Sequence, residues 1–278
     1  MNHSCNPNAV VSFDGPSLNV RSLRDIDQDE EIFISYVDIT DNPWQRQKEL
    51  SERYFFRCDC VECKAGTILQ SSAFPSSDRC FLSTEPRAMA LLGTAKTSSD
   101  TNASIKALEQ GMELMRETKV CPVFRQPYAS LRQQLAVSFI AAQERVSAFA
   151  QMLKIYFEID TVLFPQPFHP VRVVHKWTLA ILVLHIASLS VSEPSSVERL
   201  EPYHLDYGKV VWGLLTEVEG NVDKSHGRGT RFATMVRSKV EQVKVDMTRG
   251  DAAIPKLGEA ELGRQWLVLR SVAEELAP

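Results

Sequence analysis

Three cysteines within six residues, Cys58-Asp59-Cys60-Val61-Glu62-Cys63, constrain this chain more than any other feature of its sequence. A C-x-C-x-x-C run can face one metal ion from three sides, and a structural zinc site is closed by a fourth protein ligand in a tetrahedron. Cys5 is the obvious fourth, within Met1-Asn2-His3-Ser4-Cys5-Asn6-Pro7-Asn8. The two ends of the first 64 residues then meet at one site, and the chain between them has to return to its start. For the run taken alone, buried free thiols or a redox pair are the alternatives. Cys80 and Cys121 stand apart, so the six cysteines imply no disulfide framework. Clustered thiols in a chain of 278 residues with no signal-peptide pattern read as metal ligands in a reducing compartment, cytoplasm or nucleus.

The connection between these ends reads as short strands and one helix. Ala9 to Phe13 and Leu18 to Leu23 are β-branched and aromatic runs around Asp14-Gly15-Pro16-Ser17, which predicts a hairpin. A polar turn from Arg24 to Asp29 leads to a third strand, Glu31 to Tyr36, with Ile32 and Ile34 on one face and Phe33 and Ser35 on the other. Asp41-Asn42-Pro43 predicts a capped helix from about Trp44 to Tyr54 that delivers Tyr54-Phe55-Phe56 and then the cysteines.

Taken as an ordered series, these residues resemble a known family. Asn2-His3-Ser4-Cys5-Asn6-Pro7-Asn8, Arg24-Asp25-Ile26, Glu30-Glu31-Ile32, Ser35-Tyr36, Arg46 to Leu50, and Tyr54-Phe55-Phe56-Arg57-Cys58-Asp59-Cys60 are similar to the C-terminal half of a SET domain with its post-SET cysteines. Their order and spacing resemble the SET and MYND domain family of protein lysine methyltransferases. The resemblance covers residues 1 to 64, under a quarter of the chain. It departs from the family at Asp29, where glycine is usual; aspartate tolerates a left-handed turn better than most residues.

The resemblance implies S-adenosylmethionine as cofactor and a structural Zn2+ on Cys5, Cys58, Cys60 and Cys63. It places Asn2 and His3 against the cofactor, largely through backbone groups, and Phe56 against the adenine ring, where a π-face is a source of affinity. Tyr36 is the expected catalytic residue, and Tyr54 would line the lysine channel. Methyl transfer from a sulfonium to lysine needs the amine neutral, although its ordinary pKa near 10.4 keeps it protonated at pH 7. A dry channel and the sulfonium charge favour the neutral amine, while a phenol orients it.

Beyond the cysteines, residues 65–87 are rich in Ser, Thr, Pro and Gly and read as a linker. Residues 88–278 carry apolar residues at helical spacing, with helices expected over Ser104 to Thr118, Tyr128 to Gln143, Val146 to Leu163, Pro170 to Leu189, Ser196 to Val218, Gly227 to Met247 and Gly258 to Leu276. The expected fold is α+β: a partial SET-domain β segment with a zinc-bound post-SET over 1–64, then an all-α domain whose tetratricopeptide-like arrangement comes from the resemblance. The most apolar run, Trp177 to Val191, is shorter than the roughly 20 residues of a bilayer span and reads as a core helix.

Residues 1 to 64 hold 7 Lys and Arg against 12 Asp and Glu, and the remainder hold 24 against 23. This acidity suits a basic, lysine-containing protein or peptide, histone or non-histone, and argues against a nucleic-acid footprint. Two further features carry no chemistry. His226-Gly227-Arg228-Gly229 follows no strand and reads as a helix cap. His175 and His185 lie about 280° apart around a helix and do not converge.

The resembled family also has an N-terminal SET half, with a glycine-rich cofactor loop, and a MYND insertion before the NHSC stretch; neither pattern is in this sequence. The expectation is an N-terminally truncated lysine methyltransferase with little activity alone. The alternative is a non-catalytic, zinc-stabilised scaffold that meets protein partners through its helices.

Overall fold

The first and fourth strands of the chain pair in parallel, which no local pattern announces. A computed structural model describes residues 1–64, 79–118, 121–249 and 259–277. Strand β1 (Asn2–His3) sets Asn2 opposite Phe33 and His3 opposite Ile34 of β4 (Phe33–Ile34), and Ser4 N–H continues the ladder to Ile34 O at 3.0 Å. Between them β2 (Ala9–Asp14) and β3 (Ser17–Ser22) form the expected antiparallel hairpin, from Ala9 opposite Ser22 to Asp14 opposite Ser17. Gly15 makes its turn at φ 59°, a left-handed conformation that glycine adopts without a Cβ clash. Asp29 is left-handed too, at φ 65°.

Strand β4 is shorter than the expected Glu31–Tyr36, for a physical reason. Backbone groups at both ends find side chains instead of a strand: Asn8 Oδ1 accepts from Phe33 N–H at 2.8 Å and Asn8 Nδ2 donates to Glu31 O at 2.9 Å, while Tyr36 N–H donates to His3 Nδ1. Glu30 holds the preceding loop, accepting from Asn8 Nδ2 at 3.0 Å and from Asp27 N–H at 3.1 Å while ion-paired to Arg24.

Helix α1 (Pro43–Tyr54) starts as predicted, with Pro43 in its first turn and Asn42 Oδ1 accepting from Gln45 N–H at 2.8 Å. It buries Leu50 and, one turn earlier, Arg46. It ends at Phe55, left-handed at φ 61° and 89% exposed, a costly conformation for a bulky residue. That reversal turns the chain toward Phe56 and the cysteines; the short helix α2 (Val61–Lys64) follows.

The chain divides into two compact units, Met1–Leu131 and Arg132–Pro278. Within the first, α3 (Arg79–Thr97) and α4 (Thr101–Glu117) pack on each other, joined by a turn in which Asp100 Oδ1 accepts from Asn102 and Ala103 N–H. Of the expected linker, residues 65–78 lie outside the described residues, and 79–87 are the opening of α3. The Ser, Thr and Pro content there hides a helix that tertiary partners hold: Glu85 accepts from Asn42 Nδ2 at 3.0 Å, and Ala88 and Leu92 are buried.

Among its described residues the second unit has helices and no strand. Helix α5 (Tyr128–Ala141) runs into it, and α6 (Arg145–Lys154) continues through a π-helical stretch, Ile155–Ile159, into α7 (Asp160–Leu163). Helix α8 (Pro170–Ser192) follows, then a 3-10 stretch, Pro194–Tyr203. The unit closes with α9 (Tyr207–Ser225), α10 (Arg231–Arg249) and α11 (Glu259–Leu276). The single helix expected over 196–218 is broken. Pro202 lacks an N–H, His204 is left-handed at φ 47°, and Asp206 caps a new start by accepting from Lys209 N–H at 3.0 Å. Helix α8 is long and apolar enough to cross a membrane by length and composition alone. Here Val173, Leu179, Val183 and Ile186 are buried, and its Lys176 pairs with Glu217 of α9 at 2.6 Å.

Candidate functional site

The sulfur atoms of Cys5, Cys58, Cys60 and Cys63 all lie within 4.8 Å of one another, with Cys5 and Cys63 Sγ at 3.5 Å. A tetrahedron with Zn–S bonds of about 2.3 Å has S–S edges of about 3.8 Å, so a single ion fits this cluster with small adjustments. Thiolates are the metal-binding form. Burial pushes the Cys5 and Cys58 thiols up; for Cys60 burial acts the same way, but hydrogen bonds from the Cys63 and Cys5 backbone outweigh it and lower that thiol to about 7. Four sulfur donors with no open position make a closed, structural site.

Helix α1 supplies the surroundings of this cluster from Arg46 to Leu50, a stretch that belongs to the resembled series but to which the resemblance gave no role. The Gln47 amide grips the Cys58 peptide from both sides: Nε2 donates to Cys58 O at 2.7 Å, and Oε1 accepts from Cys58 N–H at 3.1 Å. Nε2 also reaches Cys63 Sγ at 3.2 Å. Arg46 is 2% exposed, donates to Ile39 O and Asp41 O, and keeps a buried Nε with no hydrogen-bond partner among the described residues. Burial lowers the His3 imidazolium, helped by the Arg46 charge, and the same charge opposes the rise that burial imposes on the Cys5 thiol. The sequence signals for this pair are the Arg46 to Leu50 stretch of the resembled series and a position one and two residues past a capped first turn, and neither assigns them these contacts.

The expected site residues converge beside the thiols. Ring centroids lie 5.4 Å apart for His3 and Tyr36, 5.9 Å for His3 and Phe56, 5.0 Å for Tyr36 and Tyr54, and 6.4 Å for Tyr36 and Phe56. The parallel pairing of β1 with β4 makes this possible, because it carries His3 alongside the strand that ends near Tyr36. Tyr36 N–H donates to His3 Nδ1 at 3.1 Å, and Tyr36 O accepts from the Tyr54 hydroxyl at 3.2 Å. The Tyr36 hydroxyl donates to Met1 O at 2.7 Å, which orients the phenol and leaves its oxygen able to accept. Asn2 Nδ2 is held by Glu31 Oε1 at 2.7 Å.

In the second unit the two set-aside features behave as expected. Helix α9 ends at His226, with Gly227 at φ 102°. His185 is exposed, while His175 Nδ1 pairs with the fully buried Asp160 at 2.9 Å, well away from it on the helix. A cavity of about 380 Å3 lies between α9 and α11, lined by Trp212, Gly213, Glu217, Leu262 and Trp266.

Residues 1–37 match the SET domain family. The chain is 48% identical over 64 residues to SET domain and MYND-type zinc finger protein 6 of Schizosaccharomyces pombe, covering 23% of this chain and 13% of that protein. It is 42% identical over 64 residues to histone-lysine N-methyltransferase SMYD3 of Mus musculus, covering 23% and 15%, and 46% identical over 63 residues to N-lysine methyltransferase SMYD2-A of Danio rerio, covering 23% and 14%. The match thus spans between 13% and 15% of the length of these curated relatives. Residues 1 to 64 of this chain are therefore similar to the SET-domain segment of SET and MYND domain proteins.

Proposed function

We propose that this chain carries the C-terminal, tyrosine-bearing part of an S-adenosylmethionine-dependent protein-lysine methyltransferase, and that alone it has little activity. The observation that supports this most is the convergence of His3, Tyr36, Tyr54 and Phe56 beside the four thiols. Zn2+ on Cys5, Cys58, Cys60 and Cys63 closes the segment as a structural ion, in a reducing compartment such as cytoplasm or nucleus.

Phe56 is partly exposed and offers a π-face suited to adenine, next to β1, whose Asn2 and His3 backbone would meet the same ring. S-adenosylmethionine, when bound, supplies an electrophilic methyl group. The Tyr36 oxygen, its proton held by Met1 O, accepts from the substrate amine and aims the nitrogen lone pair. Tyr54 packs on Tyr36 and forms a wall that excludes water from a deprotonated lysine. The substrate is a basic, lysine-containing protein or peptide, attracted by the acidic balance of residues 1 to 64, with further protein partners met through the helices.

The test is radiolabelled methyl transfer to a basic peptide by three samples: the chain alone, the chain joined to a complete SET N-terminal half, and the joined protein with Tyr36→Phe. Turnover restored by joining and lost with Tyr36→Phe is the expected result. A misplacement of about 1 Å can cost on the order of a hundredfold, so the lone chain should be slow. Failure of any added half to restore turnover would favour the zinc-stabilised scaffold, and robust turnover by the lone chain would overturn the proposal.

A further inference from the structure

We infer that the metal centre sets the position of Tyr36, and that His3 is the link between them. This rests on the zinc reading above and adds a positioning role for the His3 side chain. Tyr36 N–H donates to His3 Nδ1 at 3.1 Å, so a neutral imidazole carries its proton on Nε2. Nε2 lies 3.4 Å from Cys5 Sγ. The ring is buried at 8% exposure, and these two contacts occupy both of its nitrogens.

The strength of the link depends on what Cys5 is. A thiol is a weak acceptor, whereas a metal-bound thiolate presents negative charge, and hydrogen bonds to a charged acceptor are roughly twice as strong. Metal binding therefore tightens Nε2–H onto Cys5, fixes the tautomer, and leaves Nδ1 turned to the Tyr36 peptide. A second arm acts on the same peptide. The Tyr54 hydroxyl donates to Tyr36 O at 3.2 Å, and Tyr54 lies just before the loop that carries Cys58. Tyr36 is thus gripped at its N–H by a neighbour of one metal ligand and at its carbonyl by a neighbour of another. His3 touches no reacting atom through its ring in this arrangement; it is a positioning residue.

The experiment uses the full chain with 3-fluorotyrosine, its Tyr36 fluorine resonance assigned by Tyr36→Phe. Spectra are recorded with zinc, after chelation, and after zinc is returned, with zinc measured by elemental analysis in each state. The Tyr36 resonance should move reversibly on metal removal while Tyr203 and Tyr207, in the other compact unit, stay fixed. His3→Phe should keep zinc but lose most of that response, retaining only what the Tyr54 arm carries, and His3→Gln, which retains a donor and an acceptor, should recover part of it. If His3→Phe does not fold, nitrogen-15 spectra of the zinc-loaded wild type decide: they should show the Nε2–H tautomer, and the other tautomer overturns the link. A wild-type chain that binds zinc yet leaves Tyr36 unmoved on chelation also overturns it, as does a His3→Phe chain with the full response. A chain that binds no zinc overturns the zinc reading itself, which the elemental analysis distinguishes.

Discussion

Replacing Gln47 with leucine removes three contacts from the cysteine loop while keeping helix propensity. Two of them hold the Cys58 peptide and one reaches Cys63 Sγ. An intramolecular hydrogen bond is worth about 0.5–1.5 kcal/mol net. Two backbone contacts and a weaker one to sulfur therefore sum to about 2–3 kcal/mol. Because the loop is ordered in the bound state, that loss falls on metal affinity, and at about 1.4 kcal/mol per tenfold it weakens zinc binding by between about thirtyfold and a little over a hundredfold. This agrees with what removing an outer-shell partner of a metal ligand typically costs. Competition against a chromophoric chelator reads the dissociation constant, with far-ultraviolet circular dichroism as the control for fold. A change under about threefold in a folded Gln47→Leu chain would refute the reasoning, since it would mean the loop is placed without the amide.

Gly213→Ala should destabilise the second unit by about 1–3 kcal/mol, read as a lower melting temperature. A Cβ there would stand 2.7 Å from Trp266 Cη2 and 2.8 Å from Leu262 Cδ2, and the overpacking exceeds the roughly 0.5–1 kcal/mol that alanine gains over glycine in a helix. Burial pushes the Asp41 carboxyl up to about 6, helped by Asp38 and Glu49 and opposed by Arg46. A raised carboxylate favours the folded state when protonated, so its contribution is present below the ordinary value near 4 and is lost as pH rises through about 6. The first unit should therefore lose stability across that window, and Asp41→Asn should flatten the loss in a melting series. Residues 132–278 expressed alone should unfold cooperatively by circular dichroism, because Phe149, Leu153, Leu179, Leu214 and Val236 bury a core within that unit; a gradual, uncooperative transition would contradict it.

Where a local rule governed, the sequence could be read. The hairpin follows from alternation around Gly15, the start of α1 from Asn42-Pro43, and the four-sulfur cluster from cysteine spacing together with Cys5. What escaped reading has no local signature. A two-residue strand such as β1 shows no periodicity, so its parallel pairing with β4, which brings His3 to Tyr36, appears only in three dimensions. Gln47 belongs to the Arg46 to Leu50 stretch of the resembled series, but its grip on Cys58 appears only once the loop after Phe56 folds back to it. Helix α3 was hidden by its Ser, Thr and Pro content because contacts with Asn42 and α4, rather than propensity, hold it. The break near His204 was masked by apolar spacing that continues through Pro202, and the π-helical stretch before Asp160 leaves the apolar spacing of 146–163 helical throughout.

The claim on which the rest depends is that the two ends of residues 1 to 64 close on one metal ion. X-ray absorption at the zinc edge of the purified chain tests it most directly. One zinc per chain, bound by four sulfur atoms at about 2.3 Å, is the predicted result. A shell containing nitrogen or oxygen donors, or a chain that holds no zinc when the metal is supplied, would contradict it.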